Sequence, residues 1–199
     1  MKSFKSNEQY FDVCFSQCES SQDDFENIEF EECDFCDCDL SNSAFKNCKF
    51  INCQFKRCNL SLVSFSNTHL FGVRFLDSKL VGIDWTKATW AVYHLDFELN
   101  FQRCIMNDVS FFGLTMNELV LDECKLHDAD FREGNFSDSK MTFCDFTNSL
   151  FMRTNLQNVD FTESINYSIN VLENQVKGAK FSRYEALNLL GSLGIELCD

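Results

Sequence analysis

From Phe25 to Leu95 every fifth residue is large and apolar: Phe25, Phe30, Phe35, Leu40, Phe45, Phe50, Phe55, Leu60, Phe65, Leu70, Phe75, Leu80, Trp85, Trp90 and Leu95. A helix would set successive members of this series about 140° apart, and a straight strand would send them to alternate faces. The chain is therefore predicted to turn once per repeat. Four five-residue sides close a coil with every central side chain inward, and successive coils stack at strand spacing, roughly 4.8 Å. The fold class expected is all-β: a right-handed quadrilateral β-helix with a short C-terminal α-helix.

A second column lies two residues before each centre and holds small or modest side chains, among them Ile28, Cys33, Cys38, Ser43, Cys48, Cys53, Cys58, Val63 and Thr68. Both columns face inward. The other three positions, rich in Asp, Asn, Ser, Lys and Glu, face out. After Leu95 the period resumes one residue out of step at Phe101 and runs to Phe161, so one residue is inserted near 96–100 and no longer insertion interrupts 25–161. Between Trp90 and Leu99, Val92, Leu95 and Leu99 sit at helical spacing, which predicts a short helix on one side of a coil.

The ends keep the period less well. Residues 1–24 carry Tyr10 and Phe15 on it but Ser20 at a centre, so a partial coil or cap is expected there. Residues 25–181 form the β-helix, although Asn166 falls on a centre before Val171, Val176 and Phe181 restore the pattern. In 182–199, Ser182-Arg183-Tyr184-Glu185 reads as a capping box. Ala186, Leu189, Leu190 and Leu193 follow on one face, and Gly194 is the stop. A helix this short must bury its stripe. Either it caps the last coil, or it also pairs with its copy across a twofold axis with help from Ile195 and Leu197.

Composition fits one elongated domain. Of 23 Phe residues, 15 fill the 28 central positions between 25 and 161, so they are core rather than a binding surface. Nine of the 12 cysteines stand two before a centre, where a small apolar side chain is wanted, and parallel Cβ atoms one coil apart are slightly too distant to bridge comfortably. Reduced thiols are expected. Cys33, Cys36 and Cys38 have the CxxC spacing of a metal or redox site, but their directions diverge and make a poor tetrahedron. His69, His94 and His127 lie far apart, and no glycine-rich phosphate loop occurs. No enzyme activity, cofactor or metal is expected. Without an 18-residue apolar run or a signal-peptide stretch, the chain reads as soluble and cytoplasmic.

The formal net charge of −14 argues against nucleic acid or an anionic membrane as a direct partner and favours a basic protein surface. Charge is banded. Residues 6–45 hold 12 acids and no Lys or Arg, 46–103 hold eight bases and four acids, and 104–163 hold 11 acids against four bases.

Cys38-Asp39-Leu40-Ser41-Asn42, Ala129-Asp130-Phe131-Arg132-Glu133 and Val159-Asp160-Phe161-Thr162-Glu163 resemble the consensus of the pentapeptide-repeat family. The run Cys58–Phe65, the segment from Val73 through Trp85 to Trp90, and the end Ser192–Leu197 are similar to its topoisomerase-protecting, albicidin-resistance branch. This resemblance implies a DNA-mimicking homodimer that binds DNA gyrase or topoisomerase IV and protects it from a poisoning antibiotic or peptide toxin. It places the dimer contact at the C-terminal module, here Ala186, Leu189, Leu190, Leu193, Ile195 and Leu197. The acidic surface expected to meet the partner comprises Asp122, Glu123, Asp128 and Asp130, with Asp34, Asp37 and Asp39 at the other end. Quinolone-resistance members often carry projecting loops, which the unbroken period does not foresee here. A scaffold for some other protein partner is the alternative.

Overall fold

The computed structural model describes residues 4–90 and 99–198. Its strands are two or three residues long, and almost all carry a buried centre between more exposed flanks. All pair in parallel, in most cases with a register of twenty residues. Nine strands stack on the first side, from Cys14–Ser16 to Lys180–Phe181. The second side is a run of single bridges, Glu19↔Asp39↔Asn59↔Lys79, continuing to Ile165. The third begins with Asp24–Glu26 on Ala44–Lys46, and the fourth with Gln9–Phe11, Glu29–Glu31, Lys49–Ile51 and His69–Phe71. The result is the expected parallel solenoid.

Register brings like centres into contact. On the first side the rings of Phe15, Phe35, Phe55, Phe75 and Phe101 stack with centroids 5.1, 4.5, 5.1 and 4.9 Å apart. On the third, Phe65, Trp85, Phe111 and Phe131 follow at 5.6, 5.9 and 5.3 Å. Each ring is buried. Ring pairs of this kind add roughly 0.5–1.5 kcal/mol beyond the area they bury. At the open N-terminal end Phe4 covers the column, with its ring 4.6 Å from Phe25 and 5.4 Å from Phe15.

The outward residue two after each centre turns the corner in the left-handed region. Among the described residues, 27 non-glycine residues have positive φ, between 49° and 66°, and 15 of them are Asn or Asp, the types that tolerate it best. That explains the Asp and Asn richness of this column better than solvation does. Gly72 and Gly82 serve at the same position.

The column two before each centre takes small apolar side chains such as Ile28, Val63, Val73 and Ala129, and where it holds Cys, Ser or Thr the side chain is also a hydrogen-bond donor. Cys53 Sγ donates to Ile51 O and Phe30 O, both at 3.4 Å, and Thr68 Oγ1 donates to Phe45 O at 2.9 Å. Ser78 Oγ donates to Leu76 O at 2.7 Å while accepting from Cys58 N at 3.0 Å, so the same hydroxyl ties two coils. Cys, Ser and Thr interchange there because each supplies a donor to carbonyls the corners leave free. All 12 cysteines lie within the described residues and none of them is in a disulfide.

The register corrects the expected one-residue insertion. Arg74 pairs with Asn100 and Lys79 with Ile105, an offset of 26, whereas His69 pairs with Thr89 at the usual 20. Six surplus residues therefore lie between Thr89 and Asn100. Because 26 exceeds a multiple of five by one, the periodicity registers only a single step. The helix expected between Trp90 and Leu99 lies almost wholly on residues 91–98, outside the described residues.

The C-terminal end departs twice from expectation. Asn166 is exposed with φ 60°, Tyr167 is buried in its stead, and Phe151 pairs with Ile169 at an offset of 18, leaving Val171 half-buried. The helix itself is 3-10, Glu185–Leu193, entered through a helical Tyr184 without a side-chain cap and closed by Gly194 at φ 71°. The capping box does not form. Ser182 Oγ instead accepts from Glu163 N at 2.7 Å, Glu185 Oε2 from Asn166 N at 3.2 Å, and Ser192 Oγ from Val171 N at 3.3 Å. The last coil has no further coil to supply acceptors, so the terminal segment spends its polar side chains there.

Candidate acidic interface and its relatives

An acid on an outward position of one coil lies beside the residue twenty further on. Where that residue is basic, an ion pair forms: Glu26–Lys46 at 3.3 Å, Glu29–Lys49 at 3.7 Å and Asp37–Arg57 at 2.6 Å. Across the lengthened coil the partner is 26 residues on, and Arg103 holds Asp77 at 2.6 Å. Four of the eight bases of 46–103 are thus spent on acids of the preceding coil. Acids whose neighbour is not basic stay uncompensated: Asp12, Glu19, Asp23, Asp24, Glu31, Glu32 and Asp34 are exposed and make no ion pair among the described residues.

The acids singled out in the sequence divide accordingly. Asp34 is exposed and unpaired. Asp37 takes two hydrogen bonds from Arg57, which hold its carboxyl below the usual carboxylate range. Asp39 is half-buried and accepts from Ser41 N at 2.9 Å and Asn59 Nδ2 at 3.3 Å, and its pKa is lowered chiefly by Ser41. In the other group, Asp122 is half-buried, bonded to Thr142 Oγ1 at 2.5 Å and near Lys140 Nζ at 3.5 Å. Asp130 is clasped by Arg132 at 2.7 and 2.9 Å, which depresses its pKa, while the same guanidinium lies 5.7 Å from the Phe112 ring. Only Glu123 and Asp128 of that group are exposed corner residues without an ion pair among the described residues.

Nor are these four one cluster. Asp122 and Glu123 follow the first-side centre Leu121, Asp128 stands at the corner after the second-side centre Leu126, and Asp130 lies on the third side before Phe131. The residue type at twenty further on foretells the pairs of Glu26, Glu29 and Asp37, but not those of Asp77 with Arg103, Asp122 with Lys140 or Asp130 with Arg132, which follow other spacings.

Of the terminal residues, Leu189 packs against the core, Ala186 and Leu190 are half-buried, and Leu193, Ile195 and Leu197 are exposed. Tyr184 and Leu187, which the helical stripe did not include, are exposed as well. Cys33 and Cys38 are buried, with their thiols donating to Glu31 O and Cys36 O, whereas Cys36 is half-buried on an outward position. No helix among the described residues is long and apolar enough to cross a membrane.

Among solved structures, two trypsin-treated forms of QnrB1, described as a plasmid-mediated fluoroquinolone resistance protein, superpose with TM-scores of 0.62 and 0.63 at 21% and 20% identity. They cover 98% and 96% of this chain and 93% and 100% of theirs. The full-length form gives 0.57 at 20% identity, covering 94% of this chain and 100% of its own. At that identity the likeness is one of fold. No curated protein matches the chain. The Pentapeptide repeat region profile matches residues 28–99 and 96–161, well over half of the sequence, and the chain belongs to the pentapeptide-repeat family.

Proposed function

We propose that this protein is a DNA mimic that binds a type II topoisomerase, DNA gyrase or topoisomerase IV, and protects it from a poisoning antibiotic or peptide toxin. It acts by occupying a surface rather than by catalysis. The observation that carries this reading is the uncompensated acid on a rod whose fold is that of QnrB1, a fluoroquinolone resistance protein. The nine first-side strands span eight steps of roughly 4.8 Å, about 38 Å in all. Two copies joined end to end make a rod of roughly 75 Å carrying twice the net charge of −14. That is about one charge per 3 Å, against one per about 1.7 Å of duplex DNA.

The dimer joins through the exposed Leu193, Ile195 and Leu197, with Leu189 retained as the cap of the last coil. Similarity of the segments at 58–65, 73–90 and 192–197 to the albicidin-resistance branch favours immunity to a gyrase-poisoning peptide antibiotic. The six surplus residues between Thr89 and Asn100 remove the contrast with loop-bearing quinolone-resistance members, so quinolone protection belongs in the same test. Gyrase supercoiling is measured with added protein, then repeated with a quinolone or albicidin present. Dose-dependent inhibition and rescue from one of the poisons are expected. No effect at large molar excess would instead make the rod a scaffold for another protein.

A further inference from the structure

On the fourth side the outward residue after each centre forms one column, because Phe11 pairs with Glu31, Glu31 with Ile51 and Ile51 with Phe71. Phe11 is 64% exposed, Phe71 is 41% exposed and Ile51 is half-buried, whereas the same column on the second side reads Ser21, Ser41 and Ser61. The core does not call for these side chains, since the centres of this side, Phe30, Phe50 and Leu70, are already buried. Exposed apolar residues scattered singly need no explanation, but a contiguous set in one register on one four-stranded face marks an interaction surface.

The acids beside this column are uncompensated. Glu31 lies within it, Asp12 and Glu32 stand at the adjoining corner, and Asp34 opens the first side beyond that corner. All four are exposed and make no ion pair among the described residues, and 6–45 holds no Lys or Arg to answer them. On the other flank Glu29 is already engaged, by Lys49 at 3.7 Å and Gln9 at 3.2 Å. An apolar column edged on one side by free carboxylates repels an anionic membrane or a nucleic acid. It complements a protein segment that is apolar along one stripe and basic along one edge of that stripe.

Coil spacing selects the conformation of that segment. Neighbours in the column are one coil apart, so Phe11 and Phe71 are separated by three steps of roughly 4.8 Å, about 14 Å along the rod. An α-helix laid along the rod rises about 5.4 Å per turn and turns one side chain per turn toward the surface, so three turns stay within about 2 Å of three coils. An extended strand in that direction spaces its same-face side chains about 6.6 Å apart and falls out of step at once. We propose that this face binds a basic amphipathic helix of a partner protein. Apolar side chains of its first, third and fourth turns lie on Phe11, Ile51 and Phe71, a Lys or Arg of the second turn meets Glu31, and further bases face Asp12, Glu32 and Asp34. The face lies at the end of the rod away from the proposed twofold axis, and its occupation does not depend on topoisomerase binding.

The test titrates the full-length protein into a fluorescently labelled, amidated peptide of alanine, leucine and lysine, about 14 residues long, with leucine on one stripe at the first, third and fourth turns and lysine at the second and along one edge. Saturable binding by fluorescence anisotropy, with a gain in peptide helicity, is expected. A scrambled isomer of the same composition should bind at least about tenfold more weakly, and the designed peptide should lose as much on the Phe11→Ser, Phe71→Ser double variant and on Glu31→Lys. Leu62→Ser, which removes an exposed apolar side chain from a corner of the second side, should bind as the wild type does. Melting curves confirm that these outward substitutions leave the coils folded, and the comparison of the two isomers needs no variant. Absence of saturable binding below millimolar concentration, equal binding of the two isomers, or equal binding by the double variant or by Glu31→Lys overturns the proposal. Equal binding of an oligolysine of the same charge overturns it in favour of attraction by charge alone.

Discussion

Arg57 reaches back across one coil and holds Asp37 with two hydrogen bonds, Nε to Oδ1 at 2.6 Å and Nη2 to Oδ2 at 2.7 Å. The pair is solvent-exposed, so its contribution to stability is small and salt-screened. Its larger effect is on the surface field. Arg57→Gln leaves the melting temperature nearly unchanged but frees Asp37, adding an uncompensated acid beside Asp34. If the rod stands in for DNA, the salt dependence of gyrase inhibition should steepen by about one unit of log–log slope for a gained contact. A variant whose inhibition curves overlay the wild type at every salt concentration would place this corner outside the interface.

The five-residue period made the solenoid legible because one geometric fact, a turn at every repeat, fixes which side chain points inward at each centre. What it could not report is any change in length that is nearly a multiple of five. The coil from Phe75 to Phe101 hid five of its six surplus residues in this way. Local motif reading failed at Ser182 and Glu185 for a different reason. The N–H groups most in need of acceptors there are those of Glu163 and Asn166 in the last coil, and these lie outside the helix. The acidic surface was legible in total but not in detail, because Asp130 and Asp37 look as free as Asp128 and Asp34 until the arginines that clasp them are placed.

Thiol reactivity follows burial. The nine inward cysteines are buried, and burial pushes the Cys53 thiol up to about 12. Cys14 and Cys198 are exposed, whereas Cys36, the outward residue of the CxxC run, is half-buried and has its pKa raised mainly by desolvation. With a thiol reagent at neutral pH, two cysteines should label rapidly, Cys36 more slowly, and nine only on unfolding. Replacing Cys14 and Cys198 by Ser should abolish the fast phase, and fast labelling of a majority would contradict the inward column.

Asp145 makes the fold sensitive to strong acid. Burial raises its pKa, but hydrogen bonds from Asn166 Nδ2, Thr147 and His127 outweigh that, and the carboxyl is lowered from 3.8 to about 2. A depressed carboxylate contributes stability that is present above the unfolded value and is lost as pH falls through the folded one. The melting temperature of the wild type should therefore fall between about pH 4 and pH 2, and Asp145→Asn should flatten this limb while lowering stability near neutrality. An acid limb of equal depth in both proteins would assign the loss to other carboxylates.

The terminal helix separates capping from pairing. Leu189 packs against the core, so Leu189→Asp should uncap the last coil and cost about 1–3 kcal/mol in unfolding experiments. Leu193 is 48% exposed, and Leu193→Asp should leave unfolding unchanged yet shift the protein toward monomer in sedimentation. A wild type that sediments as a monomer at micromolar concentration, or a Leu193→Asp variant that stays dimeric, would remove the twofold contact from the proposed rod.

The DNA-mimic mechanism is tested most directly by reversing the acids that are both exposed and unpaired. Glu123 and Asp128 meet both conditions and lie toward the proposed twofold axis, while Asp34 meets them at the far end. Asp130 is already clasped by Arg132. A mimic of duplex DNA must meet its topoisomerase near the common axis, so Glu123→Lys with Asp128→Lys should weaken gyrase inhibition most, and Asp34→Lys less. Asp130→Asn removes one acid but releases Arg132, a net change of the same sign as a loss of one charge, and its effect should be intermediate. Each loss should shrink as salt rises, because screening removes the interaction in the wild type too. Melting curves serve as the folding control. Equal potency of all the folded variants at low salt would eliminate DNA mimicry even if the protein binds gyrase, since a surface recognised by shape alone would be indifferent to the sign of these side chains.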